Sequence, residues 1–211
     1  MDRQKRSIAR TNNHVDRSRW GCVGFTATEL LVVVAILATV GGIAMPQVVG
    51  ALDDLRTTGA ARLVSTRLQK ARMEAILRSR DVALRFTPEG SGYRFAFYVD
   101  GNGNGVLTRD IDRGVDRPLG SVERLRQNFP GIEFGTLPGL PAIDPGGVPP
   151  GNDPIRLGSS NSVTFTARGT SSTGSLYIRG RRAQMAVRIY GDTGKTRLLK
   201  FDVRTFQWRP L

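Results

Sequence analysis

Three rhythms of apolar and polar positions run along this chain. From Leu30 to Leu52 no position is charged. That run exceeds the roughly 20 apolar residues a helix needs to cross a bilayer. Gly41, Gly42 and Pro46 interrupt it, as such residues do in membrane helices. From Asp53 the pattern turns amphipathic. Ala60, Leu63, Val64, Leu68, Ala71 and Ala75 fall at helical spacing, while Arg62, Lys70, Arg72, Glu74 and Arg78 lie mostly on other faces. The spacing predicts one helix ending near Ser79, about 80 Å long from Phe25 if continuous. Pro46 removes a helix hydrogen bond, so a kink or local melting is expected there.

After Arg80 the rhythm shortens to alternation. Val82, Leu84 and Phe86 alternate with Ala83 and Arg85, and Tyr93, Phe95 and Phe97 repeat the pattern. Later strand candidates are 132–137, 162–167, 175–178, 184–190 and 195–203. Gly191-Asp192-Thr193-Gly194 reads as a hairpin turn. The stretch 138–161 is rich in Pro and Gly and reads as an exposed loop. The predicted class is α+β: a long N-terminal helix, hydrophobic then amphipathic, packed on an antiparallel β-sheet head.

Charge adds a direction to this picture. Before Gly24 stand six basic residues and two acids, which by the positive-inside rule stay cytoplasmic. The head is then expected outside the inner membrane, in the periplasm or beyond. A secretory signal would be cut after its apolar segment. Here the promising cut precedes it, between Gly24 and Phe25, so the helix is retained. Glu29 sits at the mouth of the apolar run, where an unpaired acid costs several kcal/mol.

A basic leader ending in Gly24, then Phe25, Glu29 and the apolar run, with Pro46 inside it, resembles the N-terminus of type IV pilins and type II secretion pseudopilins. The resemblance implies a leader over 1–24, a transmembrane or filament helix over 25–52, and a head with its amphipathic half-helix over 53–211. It also implies cleavage by prepilin peptidase, N-methylation of Phe25, and pairing of the new amine with Glu29 of a neighbouring subunit. Within that class the head resembles the GspH/FimT group of minor pilins and pseudopilins. The residues that carry this are Val163-Thr164-Phe165, Gly169, Gly174 and the stretch from Tyr190 to Arg197. The implied partners are other pilins or pseudopilins, the peptidase and the inner membrane.

Cys22 and His14 are the only residues of their kinds, and both precede Gly24. The processed chain then has no disulfide, no zinc site built on Cys or His, and no Cys-His or Ser-His-Asp catalysis. A structural protein is expected rather than an enzyme. A single-pass membrane protein unrelated to pili is the competing reading, with Glu29 incidental.

Two stretches carry further chemistry. Asp100-Gly101-Asn102-Gly103-Asn104-Gly105 copies the first half of an EF-hand loop, with oxygen ligands at alternate positions. The expected Glu is missing, for Ile111 stands at position 12, with Asp110 and Asp112 on either side. The loop reads either as a calcium site using Asp100, Asn102, Asn104, Asp110 and Asp112, or as a turn that satisfies its own backbone. No other cofactor is indicated. The second stretch is the basic end: residues 162–211 hold ten arginines and lysines against two acids. Arg181, Arg182, Lys195 and Arg197 lie in two Gly-led turns, and the Lys195 turn is similar to the DNA-binding Gly-Arg-x-Arg turn of some FimT-like pilins. The readings are a DNA-binding patch, as in DNA uptake, or a solvated basic face. Tyr177, Tyr190 and Trp208 are candidates either for stacking or for the core.

Overall fold

The computed structural model describes residues 24–211, apart from the side chain of Pro46. Most of the expected leader, including His14 and Cys22, lies outside the described residues. One helix, α1 (Ala27–Arg78), is followed by a β-rich head. The chain divides into two compact units, the first ending at Ala44 and the second spanning Met45–Leu211.

α1 has 52 residues and is unbroken through Pro46, so the expected local melting does not occur. Its length is about 78 Å at the usual helical rise. At its start Glu29 N donates to Thr26 Oγ1 at 3.2 Å, and Thr26 N donates to Glu29 Oε2 at 3.0 Å. This is a reciprocal capping box, Thr-x-x-Glu. At its end Ser79 takes a left-handed conformation (φ 51°). Ser79 N reaches Ile76 O and Arg80 N reaches Ala75 O, each at 3.2 Å, the Schellman pattern.

The strands form two antiparallel sheets rather than one. β1 (Val82–Glu89), β2 (Gly92–Val99), β3 (Arg117–Arg124) and β6 (Ser162–Phe165) give the order β3-β2-β1-β6. β4 (Glu133–Phe134), β7 (Gly174–Arg179), β8 (Gln184–Tyr190), β9 (Lys195–Asp202) and β10 (Gln207–Pro210) give β10-β9-β8-β7-β4, and the short β5 (Ile155–Arg156) also pairs with β7. β3 and β10 escaped the sequence reading, and β5 falls inside the stretch 138–161 that was read as a loop. β3 (Arg-Pro-Leu-Gly-Ser-Val-Glu-Arg) is mostly exposed and has no apolar alternation. β10 is a four-residue edge containing Pro210, where proline is tolerated. Short helices α2 (Thr108–Asp112) and α3 (Leu125–Asn128) flank β3.

The main core joins the second half of α1 to both sheets. Ala60, Ala61, Val64, Leu68, Ala71 and Ala75 are all buried, and the alanines let the helix backbone approach closely. They meet Leu84 and Phe86 of one sheet and Leu176, Ile178 and Val187 of the other. Phe86, Phe95 and Phe134 form an aromatic cluster with centroids 5.2–6.0 Å apart. Each such buried side chain stabilises the fold by about 1.5–3 kcal/mol.

A smaller core covers the outer face of the second sheet. Tyr177, Ala186, Leu199 and Phe201 pack there with Leu140, Ile143 and Trp208. The stretch 138–161 therefore serves in part as a cover, with Leu140, Pro150, Ile155 and Leu157 buried. Asp144 ties it down through an ion pair to Arg188 at 2.6 Å.

Candidate functional site

Gly24 and Phe25 precede α1 outside any helix or strand, and Phe25 is 82% exposed. Glu29 lies in the first helical turn, where it completes the cap with Thr26. That Thr26-to-Glu29 spacing was readable in the sequence and was missed; it gives Glu29 a local partner within its own subunit. Beyond it the apolar side chains are bare: Leu31 is 69% exposed, Leu37 65% and Met45 70%. Among the described residues α1 is the one helix long and apolar enough to cross a membrane.

Further along, polar contacts bind α1 to the head. The Asp53 carboxylate accepts the backbone N–H groups of Arg181, Arg182 and Ala183 at 2.9–3.0 Å. It thus plugs the turn between β7 and β8. Burial pulls its pKa up, but these donors and the Arg181 charge hold it below the ordinary carboxylate range. Gly180 packs tightly beside it, for a Cβ there would lie 2.3 Å from Asp53 Oδ1 and force that side chain to shift. Asp54 pairs with Lys200. Ser65 Oγ and Thr196 Oγ1 share a hydrogen bond at 2.9 Å, Gln69 Nε2 donates to Thr196 Oγ1 at 3.1 Å, and Arg72 Nε donates to Gly169 O at 3.0 Å. Gly194, at φ 59°, fits only without a side chain, because its Cβ would stand 2.3 Å from Gly169 O. The two Gly-led turns are thus the seats on which the helix docks.

The four candidate DNA-contacting cations are not gathered. Arg181 and Arg182 lie in the β7–β8 turn, while Lys195 and Arg197 begin β9 beyond the next turn. All seven residues of β8 separate the two pairs, roughly 20 Å. The two Gly-led turns therefore lie at opposite ends of β8. Of the aromatic candidates, Tyr177 is buried and Trp208 donates its indole N–H to Pro141 O at 3.0 Å, so both belong to the smaller core. Tyr190 is exposed, with the Arg188 guanidinium 5.8 Å from its ring centre.

The 100–116 segment is a tightly bonded loop between β2 and β3. Asp100 Oδ1 accepts Asn102 N at 3.0 Å and Gly103 N at 2.9 Å, and its Oδ2 accepts Gly105 N at 3.0 Å. Asp110 Oδ2 accepts the amides of Asn104 at 3.0 Å and Asn102 at 3.5 Å. Those four predicted residues come together. Asp112 is exposed and stands apart. Asp116, not anticipated, is 1% exposed and accepts Gly101 N at 3.0 Å and Leu107 N at 2.9 Å. Its signal would have been an acid closing a Gly- and Asx-rich loop, where buried N–H groups need acceptors. Among the described residues no group of three or more His, Cys, Asp or Glu side chains is placed to hold a metal ion.

A bare apolar helix leading into an α+β head, with an acid in its first turn and a Gly-Phe pair before it, defines a pilin-class filament subunit. The family model for the type II transport protein GspH matches residues 60–193, and this chain belongs to that family. It is 34% identical over 127 residues to the pilin-like protein PilA1 of Thermus thermophilus, covering 60% of this chain and 78% of that one. Two structures of the minor pseudopilin EpsH from the type 2 secretion system of Vibrio cholerae are also similar. One has a TM-score of 0.43 at 17% identity, covering 69% of this chain and 97% of its own. The other has a TM-score of 0.38 at 14% identity, covering 75% and 94%.

Proposed function

We propose that this chain is a minor pilin or pseudopilin that assembles through α1 into a type II secretion pseudopilus or a type IV pilus. Prepilin peptidase cuts between Gly24 and Phe25, the new amine on Phe25 is methylated, and Glu29 then receives the amine of a neighbouring subunit. Before assembly α1 spans the inner membrane, with the basic leader in the cytoplasm and the head outside. The role is structural rather than catalytic. The observation that carries the reading is the uncovered, charge-free run of α1, whose side chains require lipid or other helices around them.

Co-expression with a prepilin peptidase tests it. Leader removal from the native chain and its loss on Gly24→Asp support the cleavage site. Glu29→Ala should be processed yet fail to cross-link into filaments. An uncut native chain, or Glu29→Ala filaments equal to the native ones, would reject the proposal.

Calcium is a separate proposal, supported by the convergence of Asp100, Asn102, Asn104 and Asp110 on one loop. A rise in melting temperature at millimolar calcium supports it, and no rise rejects it. DNA binding, the other reading of the basic end, rests on Arg181, Arg182, Lys195 and Arg197, all of them exposed. A gel shift that weakens steeply with salt and with Lys195→Ala plus Arg197→Ala would support it.

A further inference from the structure

Three clefts surround α1 just where its charge-free stretch ends. One of ≈ 520 Å³ lies between Gly50–Asp54 and strands β9 and β10. A second, of ≈ 270 Å³, is lined by Met45, Val49, Arg181 and Arg182. The third, of ≈ 350 Å³, is lined by Val49, Leu52, Arg56 and Arg181. Their floor is the apolar helix surface, with Met45 70%, Val49 46% and Leu52 43% exposed. Val203, 66% exposed, extends that surface onto the turn after β9.

The rim is cationic. Arg56, Arg181, Arg182 and Arg204 are exposed and form no ion pair among the described residues. The acids beside them are already occupied. Asp53 holds the β7–β8 turn, Asp54 pairs with Lys200, and Asp202 pairs with Arg209 at 3.1 Å. The collar therefore presents net positive charge above an apolar band. Guanidinium forks match phosphate oxygens, and the exposed helix surface matches acyl chains.

We propose that this collar binds anionic phospholipid headgroups at the membrane surface where α1 emerges. Each arginine near such a surface favours the anionic lipid roughly five-fold. The inference rests on the membrane-spanning reading of α1 given above. Among the described residues the Arg181 and Arg182 side chains make no hydrogen bond, and only their backbone N–H groups meet Asp53, so they can be replaced without undoing the turn.

The full-length chain is first floated with vesicles of phosphatidylcholine alone. It is then purified in detergent containing equal phosphatidylcholine and phosphatidylglycerol, and the retained lipids are counted by mass spectrometry. Retained phosphatidylglycerol should exceed phosphatidylcholine by roughly ten-fold or more. The triple change Arg181→Gln, Arg182→Gln, Arg204→Gln should bring the ratio near parity. The triple change Arg168→Gln, Lys195→Gln, Arg197→Gln removes the same charge elsewhere and should leave it unaltered. Parity in the native chain, or an equal fall in both triples, overturns the collar. Displacement of the retained lipid by a short DNA duplex also overturns it, by assigning the rim to nucleic acid. Failure to float with phosphatidylcholine instead defeats the membrane reading of α1, so the two ideas fail separately.

Discussion

At Asp53 one carboxylate joins the helix to a turn 128 residues further along the chain. Three N–H groups that would otherwise be short of acceptors converge on it. Asp53→Ala should therefore lower stability by about 1.5–3 kcal/mol, the range for hydrogen bonds to a charged group, as read from a urea or thermal melt. The pH dependence follows from the same geometry. The folded pKa lies below the unfolded one, so the ionised form favours the folded state. That contribution is complete above the unfolded value of about 3.9 and fades as pH falls through the lower folded value. Glu133 behaves likewise: burial raises its pKa, but hydrogen bonds from Arg126 and Arg179 lower it further. An acid melt of Asp53→Ala should thus be flatter than the native one below about pH 4, and parallel curves would contradict the linkage. Asp116 gives a second residue-scale case. Its removal to Ala strands the N–H groups of Gly101 and Leu107, costing about 2–4 kcal/mol, with hydrogen exchange rising first in the 100–116 loop.

At the scale of elements, legibility followed the range of the interaction. α1 was readable because its signal is local: a charge-free run, then Ala60, Val64, Leu68, Ala71 and Ala75 at helical spacing. β1, β2 and β7 to β9 were readable for the same reason, each burying an apolar face. β3 was not, because it is held by pairing with β2 and buries little. The cover over the second sheet was also hidden. Nothing local in the Pro- and Gly-rich stretch says that Leu140 will meet Tyr177 and Phe201. Nor does any local pattern link Asp53 to Gly180, whose constraint is purely one of space. The end of α1 supplies a test of element-level reasoning. Ser79 bears the left-handed turn that glycine usually supplies. Ser79→Gly relieves about 1–2 kcal/mol of backbone cost and gives back part of it as unfolded-chain entropy. A net gain of about 0.5–1 kcal/mol in a denaturant melt is expected, and a loss would show that the Ser79 side chain matters more than its conformation.

At the scale of the whole molecule, folding and anchoring occupy different stretches of one helix. The main core takes residues from α1 only from Ala60 onward. The apolar positions from Leu30 to Met45 are exposed and contribute nothing to that core. Stability in water and attachment to a filament or membrane are then separable by position. The unit Met45–Leu211 contains both sheets, both cores and the Asp53 turn. Deleting residues 1–44 should yield a soluble protein whose melting temperature in buffer matches that of the full chain in detergent within about 4 °C, the shift that roughly 1 kcal/mol produces in a domain of this size. The same truncation should abolish flotation with phosphatidylcholine vesicles, since Met45, Val48, Val49 and Leu52 make up only about two turns of apolar helix. A truncated chain that is unfolded would show that the first unit supports the second. One that is folded but still floats would place membrane attachment in the head, against the division of labour that the burial pattern requires.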